Sequence, residues 1–149
     1  MVKKQLPEDF KDFIKCLNLN KVKYLLVGGW AVGLYGHPRA TKDIDFFIST
    51  DEINLINIKK ALTDFGAPPI DIKYLRKKGN VVRFGNSPIK IDIINEASGI
   101  SFGDCYSRRK TITVENTKIP VISKADLIVN KKSTGRQADL GDVEKLEYS

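Results

Sequence analysis

At 149 residues the chain has the length of one compact domain, and folding at that size buries about 68–70% of the extended-chain surface, so a core can form without staples. Hydrophobic residues at 42% and charged residues at 29% are ordinary globular proportions, which excludes a disordered, collagenous or disulfide-scaffold chain. Lys and Arg number 25 against 18 Asp and Glu, and the resulting +7 favours polyanionic partners such as nucleotides or nucleic acid, while also serving solubility.

Two cysteines, Cys16 and Cys105, are too few for a disulfide framework and point to a reducing compartment. A single His37 and no Cys-x-x-Cys argue against structural zinc. The N-terminus MVKKQLPEDFKDF lacks the apolar run of a signal peptide. No stretch approaches the roughly 18 apolar residues of a membrane span. A cytoplasmic protein with no membrane association is expected.

In chain order, Phe10, Phe13, Ile14 and Leu17 form the stripe of an amphipathic helix over residues 8–18, with Pro7 at its first turn. Residues 23–28 read as a buried strand stopped by Gly28-Gly29, and 30–35 as a short helix. Residues 43–49 are a second strand, and Thr50 with Asp51 caps a helix to about Phe65 that Ala67-Pro68-Pro69 breaks. Strands at 81–84 and 88–94 are joined by Gly85-Asn86-Ser87, a loop fit for a hairpin. Residues 111–114 and 117–122 pair across Glu115-Asn116. Ser123 caps a helix from Lys124 to about Ser133, Gly135 ends it, and a last helix runs from Arg136 to Leu146. Interleaved strands and helices predict an α/β (α+β) sheet domain.

Asp43 and Asp45 stand two apart on a predicted strand and so share one face, with Ile44 and Phe46 turned to the core. Adjacent acids repel unless something positive lies between them, and the natural occupant is a hard divalent cation such as Mg²⁺ or Mn²⁺. Solvated strand ends carry the same pattern, so Asp-x-Asp alone does not decide. Gly28-Gly29, where a strand meets a helix, offers free backbone N–H groups to a phosphate; an isolated Gly-Gly is equally a plain turn. It is neither a P-loop nor the Gly-x-Gly-x-x-Gly fingerprint.

A third acid, Asp92, opposes Ile89, Ile91 and Ile93 on its strand, and burying it without a partner is costly. If that strand neighbours the one carrying Asp43 and Asp45, three carboxylates converge. Asp71 is the rival, less suited because it follows two prolines. Phosphate turn, paired acids and third acid together read as a two-metal phosphoryl-transfer site.

The stretch VGGWAVGLYGHPRATKDIDFFI, with residues 30–42 between Gly29 and Asp43, resembles the motif of the DNA polymerase β-type nucleotidyltransferase superfamily. The tail SKADLIVNKKSTGRQADLGDVEKLE is similar to the C-terminal helices of small bacterial members near the AbiEii/AbiGii toxin-type nucleotidyltransferases. The resemblance implies one minimal nucleotidyltransferase domain over residues 1–149, a mixed twisted sheet flanked by helices. It implies that Gly28 and Gly29 hold a triphosphate, that Asp43 and Asp45 ligate metal, and that Asp92 serves the attacking hydroxyl. Arg39 and Thr41 match an Arg-x-Thr before the acid pair, where Arg39 steadies a phosphate or braces the loop. Lys131 and Arg136 match basic positions facing triphosphate or acceptor, though Arg136 and Asp139 are also spaced to pair along one helix. Trp30 and Tyr35 read as core ahead of base-stacking, and His37 is a minor candidate base.

The expected activity is transfer of a nucleoside monophosphate from a nucleoside triphosphate to an acceptor hydroxyl on an antibiotic, a tRNA or a protein, with two Mg²⁺ ions (or Mn²⁺). A homodimer or a toxin–antitoxin pair is the expected macromolecular partnership. The alternatives are a non-catalytic nucleotide-binding or toxin–antitoxin protein of this fold, and a basic nucleic-acid-binding module. The latter lacks interleaved aromatic and basic residues on any strand.

Overall fold

Apolar spacing at the N-terminus builds α1 (Glu8–Leu19), which buries Phe10, Phe13, Ile14 and Leu17. It opens a computed structural model that describes residues 6–38, 41–86 and 90–149. Six strands follow: β1 (Tyr24–Val27), β2 (Asp43–Ile48), β3 (Val81–Phe84), β4 (Lys90–Ile94), β5 (Lys110–Val114) and β6 (Thr117–Val121). They form one mixed sheet of order β3-β4-β2-β1-β6-β5. The pairs β1–β6 and β2–β4 are parallel, and β1–β2, β3–β4 and β5–β6 are antiparallel.

The helices between them are α2 (Gly28–Leu34), α3 (Glu52–Phe65), α4 (Ile72–Arg76), α5 (Phe102–Ser107), α6 (Lys124–Thr134) and α7 (Gln137–Glu147). They cover both faces of the sheet. Phe46 meets Phe13 of α1 edge-on at 5.5 Å, whereas its neighbour Phe47 points the other way to Phe102 of α5 at 5.3 Å. The expected mixed α/β sheet flanked by helices is the observed architecture. Among the described residues no helix is long and apolar enough to cross a membrane. Cys16 and Cys105 are free thiols.

Most predicted ends hold to within a residue or two, because caps and turns mark them. Asp51 accepts from Asn54 N at 2.9 Å, and Ser123 from Asp126 N at 3.1 Å, each satisfying an orphan donor of its helix. Glu115 and Asn116 both take positive φ, as a tight two-residue hairpin between β5 and β6 requires. The strand expected over 88–94 is described from Lys90, since Ser87, Pro88 and Ile89 lie outside the described residues. The helix expected from Trp30 instead begins at Gly28, immediately after β1.

Two helices were not expected. Asp71, weighed above as a strand acid, caps α4 by accepting from Lys73 N at 2.9 Å. The five-residue α4 and six-residue α5 are too short to show a helical period, so only their caps could reveal them.

Two buried amides stitch loops to this frame. Asn54 accepts from Lys23 N at 2.7 Å and donates to Lys23 O and Ser49 O, tying the start of β1 and the end of β2 to α3. Asn95 accepts from Gly79 N and donates to Leu75 O and Lys77 O, closing the turn that leads into β3. Both amides are satisfied, so their burial stabilises a unique loop geometry.

The core behind β2 and β4 centres on Phe13, whose ring meets Phe46, Phe65 and Phe84 edge-on at 5.2–5.5 Å. Phe13→Ala leaves a cavity in that cluster and should destabilise the fold by about 3–5 kcal/mol. Urea unfolding followed by circular dichroism measures it.

Candidate active site

β1 is buried along its whole length, and it delivers the chain at Val27 to a sharp turn. Gly28 takes φ +71, and a Cβ built there would run into Asp45 Oδ2. Only glycine meets both conditions, the left-handed backbone and the close approach. Antiparallel pairing sets Val27 opposite Asp45, which is why Gly28 lies against that carboxylate.

On β2, Ile44 and Phe46 are fully buried while Asp43 and Asp45 stand on the other face, half-buried. Parallel β4 sets Asp92 opposite Asp45, and antiparallel β3 sets Arg83 opposite Asp92. Directly opposed residues share a face, so Arg83, Asp92 and Asp45 form a row across three strands with Asp43 beside it. Asp92 is 6% exposed. It accepts from Arg83 Nε at 2.7 Å and Nη2 at 2.8 Å, and the same Nη2 reaches Asp43 Oδ2 at 3.3 Å.

Burial, then the carboxylates of Asp92 and Asp43 and a hydrogen bond shared with Asp92, raise the Asp45 carboxyl to about 6, with Arg83 acting the other way. The Arg83 guanidinium is driven further into its charged form, chiefly by its hydrogen bond to Asp92. Lys90, paired opposite Asp43, shares this face but donates to Gly85 O at 3.0 Å, so among the described residues Arg83 is the cation that meets Asp92 and Asp43.

These acids line a cleft of about 580 Å³ together with Gly28, Gly29 and Thr41. Larger cavities of about 850 and 790 Å³ lie elsewhere, and neither is lined by any of the three acids.

The sequence matches, over residues 4–148, the family described as a nucleotidyltransferase of unknown function (DUF6036). The chain belongs to this nucleotidyltransferase family. Solved structures share its fold. A nucleotidyltransferase-like antigenic protein from Paracoccidioides brasiliensis is 17% identical, with TM-score 0.59 over 91% of this chain and 72% of that one. A provisionally assigned nucleotidyltransferase from Thermotoga maritima is 20% identical, with TM-score 0.55 over 93% and 86%. The lincosamide antibiotic adenylyltransferase LnuA, bound to lincomycin, is 17% identical, with TM-score 0.58 over 97% and 98%. Among curated protein sequences none is significantly similar.

The remaining expected site residues divide between cleft and frame. Thr41 lines the cleft and donates from Oγ1 to Asp43 O at 3.2 Å. Arg39 lies outside the described residues. Lys131 is on the cleft wall but 5% exposed, with Nζ 3.0 Å from both Asp139 Oδ1 and Asp142 Oδ2. Its charge is committed to joining α6 to α7. Arg136 pairs with Asp139 at 2.7 Å, yet 74% of its side chain is exposed at the cleft. Burial pushes the Asp139 carboxyl up, but hydrogen bonds from Thr134, Lys131 and Arg136 prevail and hold it at about 2.

Asp71 is exposed, occupied as a helix cap and absent from the cleft lining. Trp30 packs edge-on against Phe10 at 5.8 Å, and Tyr35 donates to Ile122 O at 2.6 Å, both serving the frame. His37 does not line the cleft.

Arg83 escaped the reading of the sequence. A three-residue loop after Phe84 would pair Arg83 with Ile89, and only the observed register sets it against Asp92. The signal available was a lone arginine one residue before the hairpin end, on a strand whose partner carries a costly acid.

The acids fit a hard divalent cation. The donor set is all oxygen, burial and then the neighbouring carboxylates of Asp92 and Asp43 raise the Asp45 carboxyl, and the absent side chain at Gly28 leaves Asp45 Oδ2 uncovered. Among the described residues no three ligands stand ready as a metal cage, and Arg83 bridges Asp92 and Asp43 where a cation would sit.

The raised Asp45 carboxyl has a consequence for stability. Between 3.8 and about 6 the folded chain holds the proton that the unfolded chain has lost, so stability falls as pH rises through that window. Asp45→Asn cannot ionise and can still donate to Asp92. In chelator, thermal melts should show it more stable than wild type by roughly 1–2 kcal/mol at pH 8, with the difference gone at about pH 4.

Proposed function

We propose that the chain transfers a nucleoside monophosphate from a nucleoside triphosphate to an acceptor hydroxyl and releases pyrophosphate. The observation that carries this reading is the alignment of Asp45 with Asp92 on adjacent strands, Asp43 beside them and Gly28 against Asp45. Family membership supports it.

Asp43, Asp45 and Asp92 are the residues that would hold Mg²⁺, as two ions, with Mn²⁺ as a substitute. Bound there, the metal supplies positive charge against the triphosphate and against the charge that builds as the bond to phosphorus changes hands. The turn at Gly28 and Gly29 presents backbone N–H groups to phosphate oxygens, and Arg136 extends over the same cleft. Asp92, on the neighbouring strand β4, would ligate the metal that activates the acceptor and help take the proton of the attacking hydroxyl. Lys131 keeps α6 and α7 together as the cleft wall.

The acceptor is an antibiotic, a tRNA end or a protein side chain. The fold shared with LnuA, whose structure contains lincomycin, supports placing lincosamides in the first screen. A place among the AbiEii/AbiGii-type toxins, with an antitoxin partner or as a homodimer in the cytoplasm, belongs to the same proposal. A non-catalytic nucleotide-binding role is the second reading, favoured by the hold of Arg83 on Asp92 and Asp43.

Labelled nucleoside triphosphates with Mg²⁺, offered total tRNA, aminoglycosides, lincosamides and co-purifying proteins, test both readings. Label should pass to one acceptor class, and Asp43→Asn or Asp45→Asn should abolish the transfer. Asp92→Asn should bind nucleotide nearly as well as wild type yet transfer at least roughly a hundredfold more slowly, a typical size for one positioned catalytic group. Asp71→Asn should match wild type. Tight nucleotide binding with no transfer to any acceptor favours the second reading.

A further inference from the structure

We infer that Arg83 is a displaceable internal cation: it holds Asp92 and Asp43 in the metal-free protein, yields them when a divalent cation arrives with nucleotide, and takes phosphate oxygens in exchange. The inference rests on the proposed nucleotide–metal reading of the cleft and adds a residue to it.

The sheet dictates the placement. Arg83 opposes Asp92 across β3 and β4. Its fork covers both oxygens of Asp92, at 2.7 and 2.8 Å, and extends to Asp43 Oδ2 at 3.3 Å. Those are the lone pairs that a hard cation requires. The hydrogen bonds described for the Arg83 side chain all end on these two acids, and 57% of that side chain is exposed. The guanidinium is thus held by charge and not by packing.

Among the described residues Arg83 ion-pairs with Asp92 and Asp43, while Lys90, opposite Asp43 on the same face, turns its amino group to Gly85 O. A divalent ion and the guanidinium compete for the same oxygens and repel each other at that separation. Metal alone must therefore expel Arg83 into water. Metal arriving with a triphosphate expels it into a cleft that now contains phosphate oxygens, and a planar guanidinium binds those in pairs. The two ligands consequently help each other, and the help is reciprocal.

Mn²⁺ titrated against wild type, Arg83→Ala and Arg83→Gln, by electron paramagnetic resonance and calorimetry, tests this without any turnover. Each titration is run with and without a non-hydrolysable nucleoside triphosphate analogue. Arg83→Gln keeps a donor toward Asp92, so a folded variant is at hand if Arg83→Ala melts. Both variants should bind Mn²⁺ alone at least roughly tenfold tighter than wild type. The factor by which the analogue improves Mn²⁺ affinity should fall at least about fivefold.

Mn²⁺ binding that Asp43→Asn abolishes, but that neither Arg83 variant tightens, overturns this inference and leaves the nucleotidyltransferase proposal standing. Tightening with unchanged coupling overturns the exchange onto phosphate. Mn²⁺ binding insensitive to Asp43→Asn overturns the inference and the metal reading beneath it together.

Discussion

Parallel pairing of β2 with β4 sets Asp45 directly opposite Asp92, and the character of the cleft follows from that register. A slip of one residue would turn one acid into the core and leave the other alone. Backbone hydrogen bonds hold the register, and so does the reverse face, where Ile44, Phe46, Ile91 and Ile93 are nearly fully buried. Two like charges are kept as neighbours by the apolar packing behind them. Burial first, and then this repulsion, raises the Asp45 carboxyl, and Arg83 offsets part of the rise.

The opposite wall is built from charge as well, but with another outcome. Lys131 lies buried between Asp139 and Asp142, and Arg136 and Thr134 complete the hydrogen bonds of Asp139. This cluster satisfies itself, which is why Asp139 is held at about 2 while Asp45 is raised to about 6. The contrast separates a structural ion-pair knot from a site that still seeks positive charge.

Much of the arrangement was legible because it depends on local periodicity. Period-two alternation placed Asp43 and Asp45 on one face and their apolar neighbours on the other, and Gly28-Gly29 marked the end of β1. What stayed hidden depends on chain segments far apart. Nothing local reveals that β2 and β4 run parallel, or that Arg83 meets Asp92. The basic tail shows the same limit: Arg136 and Asp139 were spaced to pair on one helix, whereas the burial of Lys131 depends on how α7 folds back on α6. Asn54 and Asn95 read as ordinary polar residues until the loops they fasten are seen around them.

Those two fastened loops also bear on timing. Asn54 fixes the start of β1 and the end of β2, and Asn95 fixes the turn before β3, so the backbone under the acids has little freedom to hinge. Arg83 is different: its backbone is locked in the β3–β4 ladder, and among the described residues its exposed side chain is attached through ion pairs to Asp92 and Asp43. Rearranging this site is a change of rotamer once those pairs break. Exposed side chains change rotamer in picoseconds to nanoseconds, whereas lids and domains close in microseconds to milliseconds. A gate made from one arginine needs no lid or domain movement to open, so it can set how tightly ligands bind without a large rearrangement of the fold.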